Sequence, residues 1–153
     1  MREILYRAIS LCRGEGWVYG QPRHYARNPH TEKWTIYDPA TGIETDIAEK
    51  TLGQYTGLTD KNGNKIFDGD IVAFTFHSDL AEHACLEERP EITENHVILF
   101  HDGSFWMKRI VVPDSLTAQL YGRIIVLESL WKHRIEVIGN IHDNPDLLKG
   151  GDK

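Results

Sequence analysis

The chain has 153 residues, a net charge of -6 at pH 7, 41% hydrophobic residues and 26% charged residues. These values are typical of one globular domain with its own core, and they argue against nonspecific binding of the whole molecule to nucleic acid. No segment approaches the roughly 18 uninterrupted apolar residues of a membrane span, and two cysteines are too few for a disulfide scaffold. We therefore expect a cytoplasmic protein without a membrane segment.

The N-terminal third is predicted to consist of short β-strands separated by turns. Strands are predicted at residues 1–8, at Trp17–Tyr19 and at Lys33–Tyr37, and Ile43–Ile47 also alternates between apolar and polar residues. β-branched and aromatic residues with this alternation are typical of half-buried strands. The pattern predicts a β-rich N-terminal arm over residues 1–50.

Two turn signals dominate residues 51–76. Asn62-Gly63 is predicted to form a type I′ hairpin turn, because both residues tolerate the positive φ that this turn requires. Asp68–Asp70 marks a second corner and leads into the strand Ile71–Phe76. Closely spaced strands with Gly and Asp corners predict a small, strongly twisted sheet or barrel. The apolar residues that would share one face of the second strand are Val72, Phe74 and Phe76.

The C-terminal half contains a second hairpin and a returning strand. Residues 96–107 are predicted to pair about an Asp102-Gly103 turn, and Arg134–Asn140 is predicted to form the last strand. Asn144–Leu148 is typical of a single helical turn, with its asparagine as the cap and proline in the first position. Residues 114–131 combine helical spacing with a β-branched run, so helix and strand both stay open there.

Two specific sequence blocks and several looser ones lie along nearly the whole chain. The first specific block comprises Gln54–Leu58, Asp60–Gly63 and Gly69–Val72, the second comprises Glu136–Ile141 and Asn144–Leu148, and the looser ones are Met1–Ile4, Tyr6–Arg7, Trp17–Gly20 and Val97–Phe105. Together they resemble the YopX-like family of phage and prophage proteins. The resemblance implies a mainly β protein that contains an SH3-like barrel, with no established activity and no catalytic residues. We predict a mainly β fold with minor α content, in which a small barrel core over residues 51–148 forms one cooperative unit with the arm.

Residues 78–95 form an acidic insertion. They hold six acidic residues and one arginine, a local charge of -5 out of -6 overall. Charge runs usually face solvent, so one interpretation is a solvated insertion between two strands. The other is a docking surface for a basic partner, an unknown host or phage protein. The candidate protein-binding residues are Glu82, Glu87, Glu88 and Glu91.

The first 34 residues have the opposite bias, with basic residues among aromatic ones. Cations attract phosphates and flat rings stack on bases, so this composition is compatible with binding of single-stranded nucleic acid. The alternative is that Trp17, Tyr19 and Trp34 pack in the core, as aromatic residues of β proteins often do. The candidate nucleic-acid-binding residues are Arg7, Arg13, Trp17, Tyr19, Arg23, Tyr25 and Arg27.

The metal-ligand patterns are incomplete. Asp60, Asn62 and Asn64 resemble the opening of an EF-hand loop. The match fails where Lys65 replaces the glycine and where Ile71 replaces the bidentate glutamate, so a turn is the better interpretation. A zinc site would need a second pair of ligands beyond the remaining candidates. Those candidates are His77, His83 and Cys85.

The catalytic patterns are also weak. His101-Asp102 and His142-Asp143 lie at predicted turns, and Asp68 and Asp70 flank a glycine corner where aspartates commonly accept backbone N–H groups. We therefore predict no cofactor and no enzymatic activity. The preferred function is a phage accessory protein that acts as a protein-binding adaptor in the cytoplasm of the bacterial host. A nucleic-acid-binding barrel and an undetected hydrolase are the alternatives, and pairing of edge strands with another copy stays open.

Overall fold

The computed structural model describes residues 3–26, 32–77, 91–110, 124–127 and 133–149. Eleven strands and two 3₁₀ helices lie in these ranges. The helices are Glu49–Thr51 and Pro145–Lys149. The strands are β1 (Tyr6–Ile9), β2 (Trp17–Ala26), β3 (Glu32–Tyr37), β4 (Glu44–Asp46), β5 (Gly53–Thr59), β6 (Lys65–Phe67), β7 (Asp70–His77), β8 (Glu91–His101), β9 (Ser104–Arg109), β10 (Ile124–Val126) and β11 (Ile135–Asn140).

The strands form two antiparallel sheets. One sheet has the order β4-β3-β2-β1-β5-β6, and the other has the order β10-β9-β8-β7-β11. The prediction of a mainly β protein with minor helical content is therefore confirmed. The described strands form no closed barrel, since each sheet keeps two different edge strands, so the SH3-like barrel is not confirmed. Within the same ranges, no helix is long and apolar enough to cross a membrane.

The first compact unit, Met1–Gly57, has a small core of its own. Ala8, Ile36 and Ile47 are at most 3% exposed, and they come from β1, β3 and the residue after β4. An isolated bridge between Ser10 and Ile47 ties the end of β1 to the end of β4, so the sheet curls around these side chains. The partly buried residues packed against this core are Val18, Trp34 and Leu52.

The second compact unit, Leu58–Lys153, has a larger core. Val72 and Phe74 of β7 belong to this core and Phe76 packs against it, which confirms the predicted apolar face of the strand. Alternating side chains of neighbouring strands complete the same layer. The other buried members are Ile66, Ile98, Phe105, Met107, Leu127 and Ile135.

The two predicted hairpin turns differ in type. Asp102 and Gly103 have φ angles of 50° and 77° and join β8 to β9, so the predicted hairpin turn is confirmed, and its two positive φ angles are those of a type I′ turn. Among the described residues, Asp102 is the only non-glycine residue with a positive φ. Asn62 therefore has a negative φ, and the predicted type I′ turn at Asn62-Gly63 is wrong. The chain instead forms a longer loop closed by the hydrogen bond from the Asp60 N–H to the Asn64 carbonyl.

Two predicted elements lie in the C-terminal part of the chain. Ile124–Val126 is a strand paired with β9, whereas residues 114–123 and 128–131 are not among those described. A 3₁₀ helix begins at Pro145, directly after Asn144, and the Asn144 carbonyl accepts the Leu147 N–H at 3.1 Å, so the predicted helical turn and its first residue are confirmed. The Asn144 side-chain oxygen accepts the backbone N–H of Asn140, 3.2 Å away, and this contact connects the end of β11 to the residue before the helix.

Candidate functional site

One face of the sheet in the first unit carries most of the basic and aromatic residues singled out in the sequence. Side chains alternate along each strand, so residues on β2 that flank Val18 point away from the core. Register places Arg7 opposite Tyr19, and Tyr25 opposite Lys33. We call this surface the aromatic face, and it comprises Arg7, Trp17, Tyr19, Arg23, Tyr25, Lys33, Tyr37, Glu44 and Asp46.

A polar network crosses the aromatic face from β2 to β4. The Arg23 guanidinium lies 3.2 Å from Glu44, whose other carboxylate oxygen accepts the Thr35 hydroxyl at 2.6 Å. Hydrogen bonding to Tyr25 and the nearby charge of Glu44 raise the pKa of Arg23. Hydrogen bonds from Thr35 and Tyr25, together with Arg23, lower the pKa of Glu44. The arginine is thus held charged within a local ion pair.

The other cations of this face also have neighbours. The Lys33 ammonium lies 2.6 Å from Asp46, and hydrogen bonding to this carboxylate raises the pKa of Lys33. The Arg7 side chain is largely buried, and its guanidinium lies 4.6 Å from the centre of the Trp17 ring. Each cation is therefore engaged with a carboxylate or an aromatic ring on the same face.

Two tyrosines are the most exposed aromatic residues of the aromatic face. Tyr19 is 48% exposed and Tyr25 is 42% exposed. Trp34 lies on the opposite face, where it packs against the core and stacks on His24 at 4.5 Å between ring centres. The core interpretation therefore holds for Trp34, whereas the Tyr19 ring reaches solvent.

The remaining predicted binding residues do not join the aromatic face. Arg13 is exposed in the turn after β1, and Arg27 is not described. Glu91 is exposed at the start of β8 in the second unit. The rest of the acidic set lies outside the described ranges, namely Glu82, Glu87 and Glu88.

Four residues of the aromatic face were not among the binding residues predicted from the sequence. Lys33, Tyr37, Glu44 and Asp46 lie on β3 and β4, beside residues that had been predicted. Alternation along β3 and β4 was a usable signal for their orientation. The sequence carried no usable signal for the order of the strands, which brings the two carboxylates next to Arg23 and Lys33.

The carboxylates considered for metal binding or catalysis accept local hydrogen bonds. Asp70 accepts the Phe67 N–H at 2.7 Å, and Asp68 accepts the Phe100 N–H at 3.2 Å. His101 and Asp102 lie 3.1 Å apart at the exposed β8–β9 turn. In the part of the chain that the structure describes, no three His, Cys, Asp or Glu side chains are grouped closely enough to hold a metal ion.

These features define a class, a two-sheet antiparallel β protein with an exposed aromatic and charge-paired sheet face. Residues 5–149 match the family described as YopX protein. The chain belongs to this family, which confirms the resemblance seen in its motifs. The crystal structure of protein EF1440 from Enterococcus faecalis is similar, with 23% identity, a TM-score of 0.44, and coverage of 97% of this chain and 99% of that chain. A search of curated proteins finds no match.

Proposed function

We propose that this protein is a phage or prophage accessory protein that acts as a protein-binding adaptor in the bacterial cytoplasm. The aromatic face is its contact surface. The observation that carries the proposal is the pair of exposed rings, Tyr19 and Tyr25, set among charge-paired side chains. Tyrosine, tryptophan and arginine are enriched in the centres of protein interfaces, where large rings contribute contact area at a low entropic cost.

The charge balance of the aromatic face favours a protein partner over nucleic acid. Three cations, Arg7, Arg23 and Lys33, stand beside two carboxylates, Glu44 and Asp46, so the net charge of the face is +1. Nucleic-acid affinity depends on cations that neutralise phosphates, and here a phosphate would have to displace carboxylates already in place. A protein surface that carries charges of both signs can contact this face without displacing those carboxylates.

Combined substitution of Tyr19→Ala and Tyr25→Ala is expected to weaken partner binding at least tenfold. The loss of two exposed rings removes contact area that residues of this type provide at interface centres. The partner is identified by cross-linking in host cells and mass spectrometry, and its affinity is then measured with purified proteins. Leu11→Ala is the matched control, because Leu11 is 65% exposed and lies off the aromatic face. Equal affinities for the double variant and the control would contradict the proposed surface.

The nucleic-acid alternative keeps one specific observation in its favour, since Tyr19, Arg23 and Tyr25 lie on the same exposed face of β2. The adaptor proposal predicts no retardation of short single-stranded DNA or RNA in gel shift experiments at low salt. Binding that weakens steeply with salt, and that Arg23→Gln reduces, would favour the alternative.

A further inference from the structure

Strand β7 of the second unit extends beyond its partner β11. The last pair between them is Phe74 with Ile135, although β7 continues to His77. On its other edge, β7 remains paired with β8 as far as His77 with Glu91. Residues 75–77 therefore have one edge that no described strand covers. Antiparallel strands direct N–H and C=O groups alternately to the two sides, so at least one residue of this segment presents both groups to the uncovered edge.

A cleft of about 170 Å³ opens at this position. Its volume equals that of about six water molecules, which suits the end of a chain and not a long strand. Arg134 is exposed, and none of the ion pairs among the described residues involves it. The lining residues are Thr75, Phe76, Glu91, His133 and Arg134.

We propose that this cleft binds the C-terminal end of an extended peptide. The peptide backbone pairs with the uncovered edge of β7 beside Thr75, as a continuation of the position that β11 occupies. The Arg134 guanidinium donates hydrogen bonds to the terminal carboxylate, because its planar fork of N–H donors matches a carboxylate in a bidentate contact. Phe76 supplies the apolar wall for the last side chain. The cleft lies in the second unit, and the proposal does not depend on the aromatic face.

The test is a titration of the full-length ¹⁵N-labelled protein, followed by NMR. The probe is an acetylated Val-Thr-Val-Val peptide with a free carboxylate, and the comparison is the same peptide with a C-terminal amide. We expect saturable shifts of the backbone amides of residues 75–77 with the free acid, at a dissociation constant of about 1 mM. The amide should bind about tenfold more weakly, because it lacks the charge-assisted contact.

Arg134→Gln should reduce binding of the free acid about tenfold, while Lys108→Gln should leave it unchanged. Lys108 is the matched control, since it is an exposed cation on β9 of the same sheet. Equal binding of acid and amide would overturn the proposal, and so would the same saturation by acetate alone. The comparison of acid and amide uses the unsubstituted chain, so its result holds even when Arg134→Gln does not fold.

Discussion

Replacing Asp60 with alanine is expected to lower the free energy of unfolding by about 4 kcal/mol, measured by urea denaturation. Asp60 is 4% exposed, and its carboxylate accepts four hydrogen bonds. The backbone N–H groups of Asn62 and Asn64 donate at 2.9 and 2.8 Å, and the Asn64 side chain donates at 3.1 Å. The fourth donor is the Val137 N–H at 3.0 Å, which connects the turn to β11. Alanine would leave these donors without their acceptor.

Two variants control for charge and for general effects. Asp60→Asn keeps the size of the side chain but replaces one acceptor oxygen with an N–H donor, so we expect a loss of about 2 kcal/mol. Asp146→Ala removes an exposed carboxylate that forms an ion pair with Lys149 of the same 3₁₀ helix, and it should cause no measurable change. If Asp60→Ala changed the free energy of unfolding no more than Asp146→Ala does, the structural role assigned to Asp60 would be contradicted.

The contribution of Asp60 should also depend on pH. Burial alone would raise the pKa of the Asp60 carboxyl group, but hydrogen bonds from Val137, Asn64 and Asn62 outweigh burial and lower the pKa. The unfolded chain therefore binds the proton more readily than the folded chain does, so the stabilisation is present above about pH 4 and is lost as pH falls through the lowered value. The difference in unfolding free energy between the natural chain and Asp60→Asn should shrink over this acidic range.

Gly20→Ala is expected to destabilise the first unit by about 3 kcal/mol. A Cβ atom at Gly20 would lie within 2.8 Å of the Tyr37 carbonyl carbon and within 2.9 Å of Ile36 Cγ2. The first of these is backbone of β3, the strand paired with β2, so the clash is relieved only by separating two strands. Thermal unfolding followed by circular dichroism measures the effect.

Gly42→Ala separates this steric clash from the general cost of losing a glycine. Gly42 has a φ of 73°, but nothing lies within 4 Å of a Cβ atom built there. Alanine should cost about 1 kcal/mol at this position, through backbone conformation alone. Equal losses of stability in Gly20→Ala and Gly42→Ala would show that the close approach of β2 and β3 does not cause the destabilisation at Gly20.

Local chemistry was enough to predict many of the individual elements. The Asp102-Gly103 turn was predicted because two adjacent residues that tolerate positive φ favour one tight hairpin. The buried face of Val72, Phe74 and Phe76 was predicted because alternate residues of a strand share a side. Both predictions depend on residues close together in the chain, which is why they could be made without knowing the strand order.

The local rule failed at Asn62-Gly63. The same dipeptide logic predicted a type I′ turn, but the Asp60 carboxylate binds the N–H groups of Asn62 and Asn64 and favours a longer loop. Asp60 in turn is held by Val137, which is 77 residues away in the chain. A contact over that separation leaves no trace in local turn chemistry, so the role of Asp60 could not be predicted.

For the candidate binding residues too, the sequence predicted which residues are involved, and only the fold decided how they are arranged. The basic and aromatic composition of the first 34 residues singled out Arg7, Tyr19, Arg23 and Tyr25, and motifs spread along the chain identified the family. Whether their side chains formed a positive surface depended on which strand lies next to β3. The structure places β4 there, and its carboxylates pair with the cations of β2 and β3. Strand order and register arise from packing between distant segments, so the charge balance of this face emerges only in the folded chain.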